Sequence, residues 1–261
     1  MTFPLYFHFF GHAVHAHLIM ELLGYSAGSQ LYFFLRRRWK TGQRAALPLE
    51  ANLWVIVGGV FGALAGSKGL ALVESLPEYH AQWAATHDPA VWFGGKTIVG
   101  GLLGAWAGVE LAKKVLRVAH STGDLFVFPL IVGMCLGRVG CFLTGLPDHT
   151  YGNFTSLPWG VDFGGGPRHP TQLYEIAFLL LLGTALFLGT RRPFPNGRLF
   201  RLFLAGYLLF RLAIEFIKPR YTPYVGLSAI QVSCIVGLVC LGVMCFRERA
   251  PDKAPAPVGA G

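Results

Sequence analysis

The sequence predicts an all-α integral membrane protein, a bundle of seven transmembrane helices, on three observations. Of its 261 residues, 53% are hydrophobic and 13% charged, with a mean hydropathy of +0.50; a soluble domain carries about a quarter charged residues. Seven apolar runs of about 20 residues are each long enough to cross a bilayer as a helix. Most basic residues fall in every second connection between those runs, the pattern that sets orientation.

The first span is expected over 13–35 and the second over 52–74, joined by a connection carrying Arg36, Arg37, Arg38, Lys40 and Arg44. The third, over 96–119, opens with "GGKTIVGGLLG" and runs into Lys113, Lys114 and Arg117 before the fourth, over 125–145. The fifth, 170–189, and sixth, 199–217, flank Arg191, Arg192, Arg198 and Arg201. The seventh, 227–246, ends at Arg247, Arg249 and Lys253. With alternating helices these 15 of 22 basic residues share one side, so the N-terminus is expected outside and the C-terminus inside. Residues 1–246 then form the membrane domain. The Pro/Ala-rich tail 247–261 is expected to be a disordered cytoplasmic segment. "MTFPLYFHFFG" has neither a basic region nor a small-residue cleavage site, so it is not read as a removable signal.

Small residues predict how the helices meet. Gly62 and Gly66, then Gly100, Gly104 and Gly108, then Gly133 and Gly137 place glycines on single helix faces, where backbones can approach closely. The connection "GLPDHTYGNFTSLPWGVDFGGGPRHP" is rich in turn formers and makes a long outer loop, with Tyr151 and Trp159 suited to the lipid interface. The five cysteines lie in apolar segments without metal-ligand spacing, and are expected as small core residues rather than disulfides or metal ligands.

Seven basic residues are not explained by orientation: Lys68, Lys96, Arg138, Arg168, Arg211, Lys218 and Arg220. In this topology all lie in the outer half of a span or on the outer face, and Arg138 and Arg211 sit well inside their helices. Charge within a span is costly and marks function. One reading pairs Arg138 and Arg211 with Glu215 or lets them snorkel. The other gathers them in an electropositive outer cavity for an anionic head group, phosphate above all, which the guanidinium fork binds bidentately.

Taken in order, "GGKTIVGGLLG" (94–104), "GRVGCFLTG" (137–145), "RHPTQLYE" (168–175), "YLLFRLAIEFIKP" (207–219) and "GLSAIQ" (226–231) resemble motifs of the bacterial prolipoprotein diacylglyceryl transferases. "GRVGCFLTG" (137–145) resembles that family's Gly-Arg-Ile-Gly-Asn-Phe signature, and "RHPTQLYE" (168–175) its Arg-His-Pro-Ser-Gln-Leu-Tyr-Glu box. "YLLFRLAIEFIKP" (207–219) is similar to its Tyr-x-x-x-Arg…Glu-Phe segment, "GLSAIQ" (226–231) to its Met-Gly-Gln, and "GGKTIVGGLLG" to its Gly-Gly-Met-Ser-Phe-His-Gly-Gly. The motifs keep the family's order.

The resemblance implies an enzyme of the bacterial inner membrane that moves diacylglyceryl from phosphatidylglycerol, or another anionic phospholipid, to the lipobox cysteine of a secreted precursor lipoprotein. A thioether forms and glycerol phosphate leaves. By motif, Arg138 and Arg211 stabilise the leaving phosphate; Arg168 and Lys96 are further candidates to contact the head group. Tyr207, Gln172, Cys141, Gln231 and Glu215 occupy the family's substrate-binding positions, with Glu215 orienting Arg211. The resemblance implies no cofactor, metal or nucleic acid, and a monomer is expected.

The sequence departs from the family within these motifs. Val99 replaces the third-span histidine, Cys141 the signature asparagine, and "GLPDH" the Gly-Glu that follows. Lys96, near the face of Val99, is a candidate base if desolvated, a phosphate contact, or a snorkelling residue. His169 is a second candidate base, or a turn residue at a helix end. His17 and Glu21, four apart, share a helix face and read as a pair lining the cavity; as a metal site, the cluster His12, His15, His17 and Glu21 shows no second ligand set. Two further readings stand beside this one. One is a relative with the same donor and another acceptor; the other is a non-catalytic lipid-binding or transport protein, against which no inverted repeat is visible.

Overall fold

The computed structural model describes residues 3–9, 11–38, 49–118, 121–190, 195–219 and 222–249. Lys40, Arg44, Arg191, Arg192, Arg220, Lys253 and all but the first residues of the expected tail lie outside them. The chain opens with an antiparallel hairpin, β1 (Tyr6–Phe9) and β2 (His12–His15), with Tyr6 opposite His15. It continues as α1 (Ala16–Arg38), α2 (Leu49–Glu74), a short α3 (Leu76–Thr86), α4 (Ile98–Leu116) and α5 (Val127–Thr144). A second hairpin, β3 (Val161–Asp162) with β4 (Pro167–Arg168), precedes α6 (Thr171–Gly189), α7 (Arg198–Ile214) and α8 (Ala229–Arg249).

Seven long helices among the described residues thus fall on the seven expected runs, within a few residues. Among the described residues, four stretches meet both the length and the hydropathy expected of a span: Leu53–Glu74, Gly123–Thr144, Thr171–Gly189 and Ala229–Phe246. Three features are absent from the all-α expectation: the two hairpins, and the α3 insertion between the second and third long helices. Each is short, so its local pattern is overshadowed by the apolar runs that flank it.

Glycine determines the tightest packing. α2 lies against α4 so closely that a Cβ on Gly62, Gly66, Gly104 or Gly108 would overlap the facing backbone. α1 packs on α5 through Gly24 against Gly133 and Gly28 against the Pro129 carbonyl. Gly137 differs from expectation: nothing lies within 4 Å of its missing side chain, and it faces a cavity instead of a helix. Accordingly, Gly104→Val should destabilise the protein by about 1–3 kcal/mol through overpacking, whereas Gly69→Ala, with open space, should be tolerated. Thermal unfolding in detergent measures the contrast.

The apolar core is built from α4 to α8, with Val99, Leu179, Phe203, Leu204, Leu208 and Cys234 all buried. α7 is held by a cap from elsewhere in the chain. The Asp124 carboxylate accepts the Gly197 and Phe200 amides at 2.7 and 2.9 Å, satisfying donors that have no partner inside the helix. The β3–β4 turn uses Gly164, Gly165 and Gly166 at φ of 108–113°, where a side chain would be strained. Asp162 accepts the Gly164 and Gly166 amides, which hold its carboxyl below the usual range. The loop is pinned to the end of α7 by the Asn153 amide donating to the Ile217 carbonyl at 2.8 Å.

Candidate active site

The pairs α1/α5 and α2/α4 are separated by a cavity of about 1250 Å³. Its lining runs along α1 from His17 to Arg36, roughly 28 Å of helix at 1.5 Å per residue. Gly24, Gly28, Ile56 and Leu130 give it an apolar length. His17, Glu21, Lys96, Arg138, Asp148 and Lys218 give it a polar end, beside the 145–170 loop.

Behind that end lies a buried network of two arginines and two carboxylates. Arg138 Nε lies 2.9 Å from Glu175 Oε1, and Arg211 Nη1 lies 3.4 Å from Glu175 Oε2. Arg211 Nη2 donates to Glu215 at 2.9 Å, and the Tyr207 hydroxyl donates to Glu175 at 2.7 Å. All five residues are at most 6% exposed. α5, α6 and α7 each supply part of the network, so one carboxylate joins two arginines 73 positions apart. Compensation makes such burial tolerable: an uncompensated ion here would be strongly destabilising. Arg138 and Arg211 also line the cavity.

Lys218 lies just beyond α7 and lines the same cavity. Burial, and then the neighbouring Arg211 guanidinium, push its ammonium down to about 8. Nothing in the sequence singles it out from the other surplus cations, or Glu175 from the rest of its motif.

Lys96 occupies a different place from the one a base requires. Its Nζ donates to Glu21 at 2.7 Å, and its side chain is 58% exposed, so it is neither desolvated nor unpaired. Glu21 also approaches His17 Nε2 at 3.6 Å, and His17 Nδ1 faces Asp148 Oδ1 at 3.7 Å. Lys96, Glu21, His17 and Asp148 therefore form a chain of side chains along the polar end. Cys141 closes it: its Sγ receives the Arg138 Nη1 donor at 3.7 Å.

The remaining expected residues lie elsewhere. Val99 is 1% exposed and belongs to the apolar core, so α4 presents no titratable group there. His169 is in the loop, with Nδ1 3.2 Å from the Tyr174 hydroxyl, and is not among the cavity-lining residues. Arg168 stacks on the rings of Phe154 and Tyr151, at 3.7 and 4.8 Å from their centroids, and also lies apart from the cavity lining. Its role in the structure is to fasten the loop. Gln231 forms a capping box at the start of α8: its amide donates to Ser228 Oγ, and its Oε1 accepts the Ser228 amide. Gln172 is buried in the first turn of α6, its side-chain amide without a hydrogen-bond partner among the described residues. The cysteines divide: Cys234 is core as expected, Cys141 faces the cavity and Cys240 is exposed.

This arrangement offers a long apolar groove, cations at its polar end and titratable groups beside them. Comparison with known proteins matches it to one family. A family model described as prolipoprotein diacylglyceryl transferase matches residues 4–247. The chain is 36% identical to a phosphatidylglycerol–prolipoprotein diacylglyceryl transferase of Geobacter sulfurreducens, across 77% of this chain and 76% of the relative. It is 34% identical to the protein of that name from Nitratidesulfovibrio vulgaris, and 30% identical to that of Pseudomonas paraeruginosa; both alignments cover 97% of this chain and 94% of the relative.

Proposed function

The chain belongs to the prolipoprotein diacylglyceryl transferase family, and on that premise we propose that it moves diacylglyceryl from phosphatidylglycerol to the cysteine thiol of a precursor lipoprotein. The observation that supports this most is the buried Arg138–Glu175–Arg211 network opening onto a lipid-length cavity.

The groove between α1/α5 and α2/α4 takes the acyl chains, and the head group sits at the polar end. The acceptor sulfur attacks the terminal glycerol carbon of the diacylglyceryl unit. The thiol gives up its proton to water, a C–S bond forms, the C–O bond to phosphate breaks, and its electron pair stays on the phosphate oxygen. Arg138 and Arg211 face that developing charge. Because Glu175 and Glu215 hold both guanidinium groups in place beforehand, little reorganisation is needed in the transition state. Tyr207 holds Glu175, and Lys96 holds Glu21 on the acceptor side. No reaction step is assigned to His169 or Arg168, which secure the loop.

Lys218 adds a third cation to the leaving phosphate. Its positive form is the one that binds, and that form is lost as pH rises through about 8. Turnover should therefore fall on the alkaline side of pH 8. Lys218→Arg should remove that fall while retaining activity, as arginine stays protonated. A pH–rate profile of the two proteins checks this.

All seven long helices span the inner membrane, with the N-terminus and the 145–170 loop outside. The positive-inside asymmetry supports this reading. A cysteine introduced at Ser156 of a cysteine-free variant should react with an impermeant maleimide on intact cells, and one introduced near residue 255 only after lysis. Labelling of the tail site from outside would reverse the topology.

Val99 favours a second reading, in which the donor is kept and the acceptor differs, because the family's histidine position holds a core side chain. Offering a cysteine lipobox peptide and its serine counterpart separates the two. Modification of cysteine alone supports the thioether reaction, and modification of serine alone overturns it.

A further inference from the structure

His17, Cys141 and Asp148 come from three separate parts of the chain: α1, α5 and the turn after it. One imidazole nitrogen, the thiol sulfur and one carboxylate oxygen all lie within 4.8 Å of one another, on the wall of the cavity. The nitrogen is Nδ1 of His17. It is buried, has no hydrogen-bond partner among the described residues, and stands 3.7 Å from Asp148 Oδ1, beyond hydrogen-bond reach. That spacing is close to the edge of a tetrahedral site: bonds of about 2.0–2.1 Å to nitrogen and oxygen and 2.3 Å to sulfur place ligands roughly 3.3–3.6 Å apart. The other imidazole nitrogen faces Glu21 at 3.6 Å. A metal-bound histidine characteristically donates its second N–H to a carboxylate, which fixes its orientation. Glu21 is itself held by Lys96 at 2.7 Å. Asp148 is likewise anchored, through its other oxygen, by the Thr150 hydroxyl.

We propose that His17, Cys141 and Asp148 bind a Zn²⁺ ion whose fourth position receives the acceptor thiol. The inference rests on the transferase reading above. One nitrogen, one sulfur and one oxygen donor suit zinc, and three protein ligands leave a position open, as catalytic zinc sites do. A thiol entering that position loses its proton outright on coordination, and the proton passes to water in the cavity. The zinc-bound sulfur then attacks the glycerol carbon; the C–O bond breaks, and its electron pair leaves on glycerol phosphate. The thioether product carries no charge and binds zinc weakly, so it departs. This supplies a thiolate without a histidine at position 99.

The geometry links the two halves of the reaction through one side chain. Arg138 reaches Cys141 Sγ with Nη1 and Glu175 with Nε, so the thiolate side and the phosphate side share a guanidinium. The two carboxylates of the arginine network leave it electrically balanced, so Arg138 and Arg211 do not oppose a cation in the adjoining site. The thiolate of Cys141 and the carboxylate of Asp148 balance the ion itself.

The test is metal analysis of the full-length protein, purified in detergent without chelator and with any affinity tag removed. The wild-type protein should carry about one zinc per chain. Cys141→Ser, His17→Gln and Asp148→Asn should each lose it, and Glu21→Gln should weaken binding about 10- to 100-fold. Replacing zinc by Co²⁺ should give a sulfur-to-cobalt charge-transfer band that is absent in Cys141→Ser. Folded wild-type protein that transfers diacylglyceryl at full rate with no metal, before and after chelation, overturns the zinc site and leaves the transferase reading standing. A cobalt band that survives in Cys141→Ser overturns it as well. Stoichiometric zinc that depends on all three ligands, in a protein that modifies no cysteine peptide, upholds the site and counts against the transferase reading.

Discussion

Replacing Arg138 or Arg211 by alanine should lower turnover by about 10²–10³-fold, the loss seen when a preorganised donor to a developing oxyanion is removed. Both side chains line the cavity, and both are oriented by Glu175, at 2.9 and 3.4 Å. Lysine should rescue poorly at either position. A single ammonium cannot keep the Glu175 contact and present a second donor to phosphate, as the planar fork does. Single-turnover kinetics with saturating phosphatidylglycerol separate this loss from weaker lipid binding. Unchanged turnover in both alanine variants would mean that the arginines are only structural.

The second large effect is on stability. Glu175→Gln should destabilise the protein by about 3–5 kcal/mol, because two buried guanidinium groups lose the charge that compensates them. Only Glu215 would remain, and it contacts Arg211 alone among the two. Removing a partner charge as well, in the double variant Arg138→Gln/Glu175→Gln, should recover much of that loss, since neither change leaves the other's charge exposed to a low-dielectric interior. The double-mutant cycle, read by thermal unfolding in detergent, yields the coupling. Additive effects would show that the network is not electrostatically coupled.

The long helices were legible in the sequence because apolar length and basic asymmetry are properties of whole segments. The hairpins and α3 were not, being set by a few residues each. Within the site, Arg138 and Arg211 stood out because charge is rare inside a span. Glu175 was harder to mark as their partner, since only the fold brings α6 between α5 and α7. Lys96 illustrates the limit of reading by face: its neighbourhood to Val99 on one helix suggested a base, yet its actual partner, Glu21, lies 75 positions away. His17 and Glu21 were visible as a local pair. Asp148 and Cys141 completed the cluster only through the turn that follows α5, a long-range closeness with no periodic signature. His169 and Arg168 belonged to the clearest motif but serve the loop, because a motif's polar residues divide between chemistry and the scaffold that positions it.

The most direct measurement is mass spectrometry of the purified protein incubated with a lipobox peptide and phosphatidylglycerol that carries one isotope in the acyl chains and another in the head-group glycerol. The account predicts that the acyl label appears on the cysteine as a diacylglyceryl thioether while the glycerol label leaves as glycerol phosphate. An unmodified peptide with intact lipid, or both labels on one product, would contradict it.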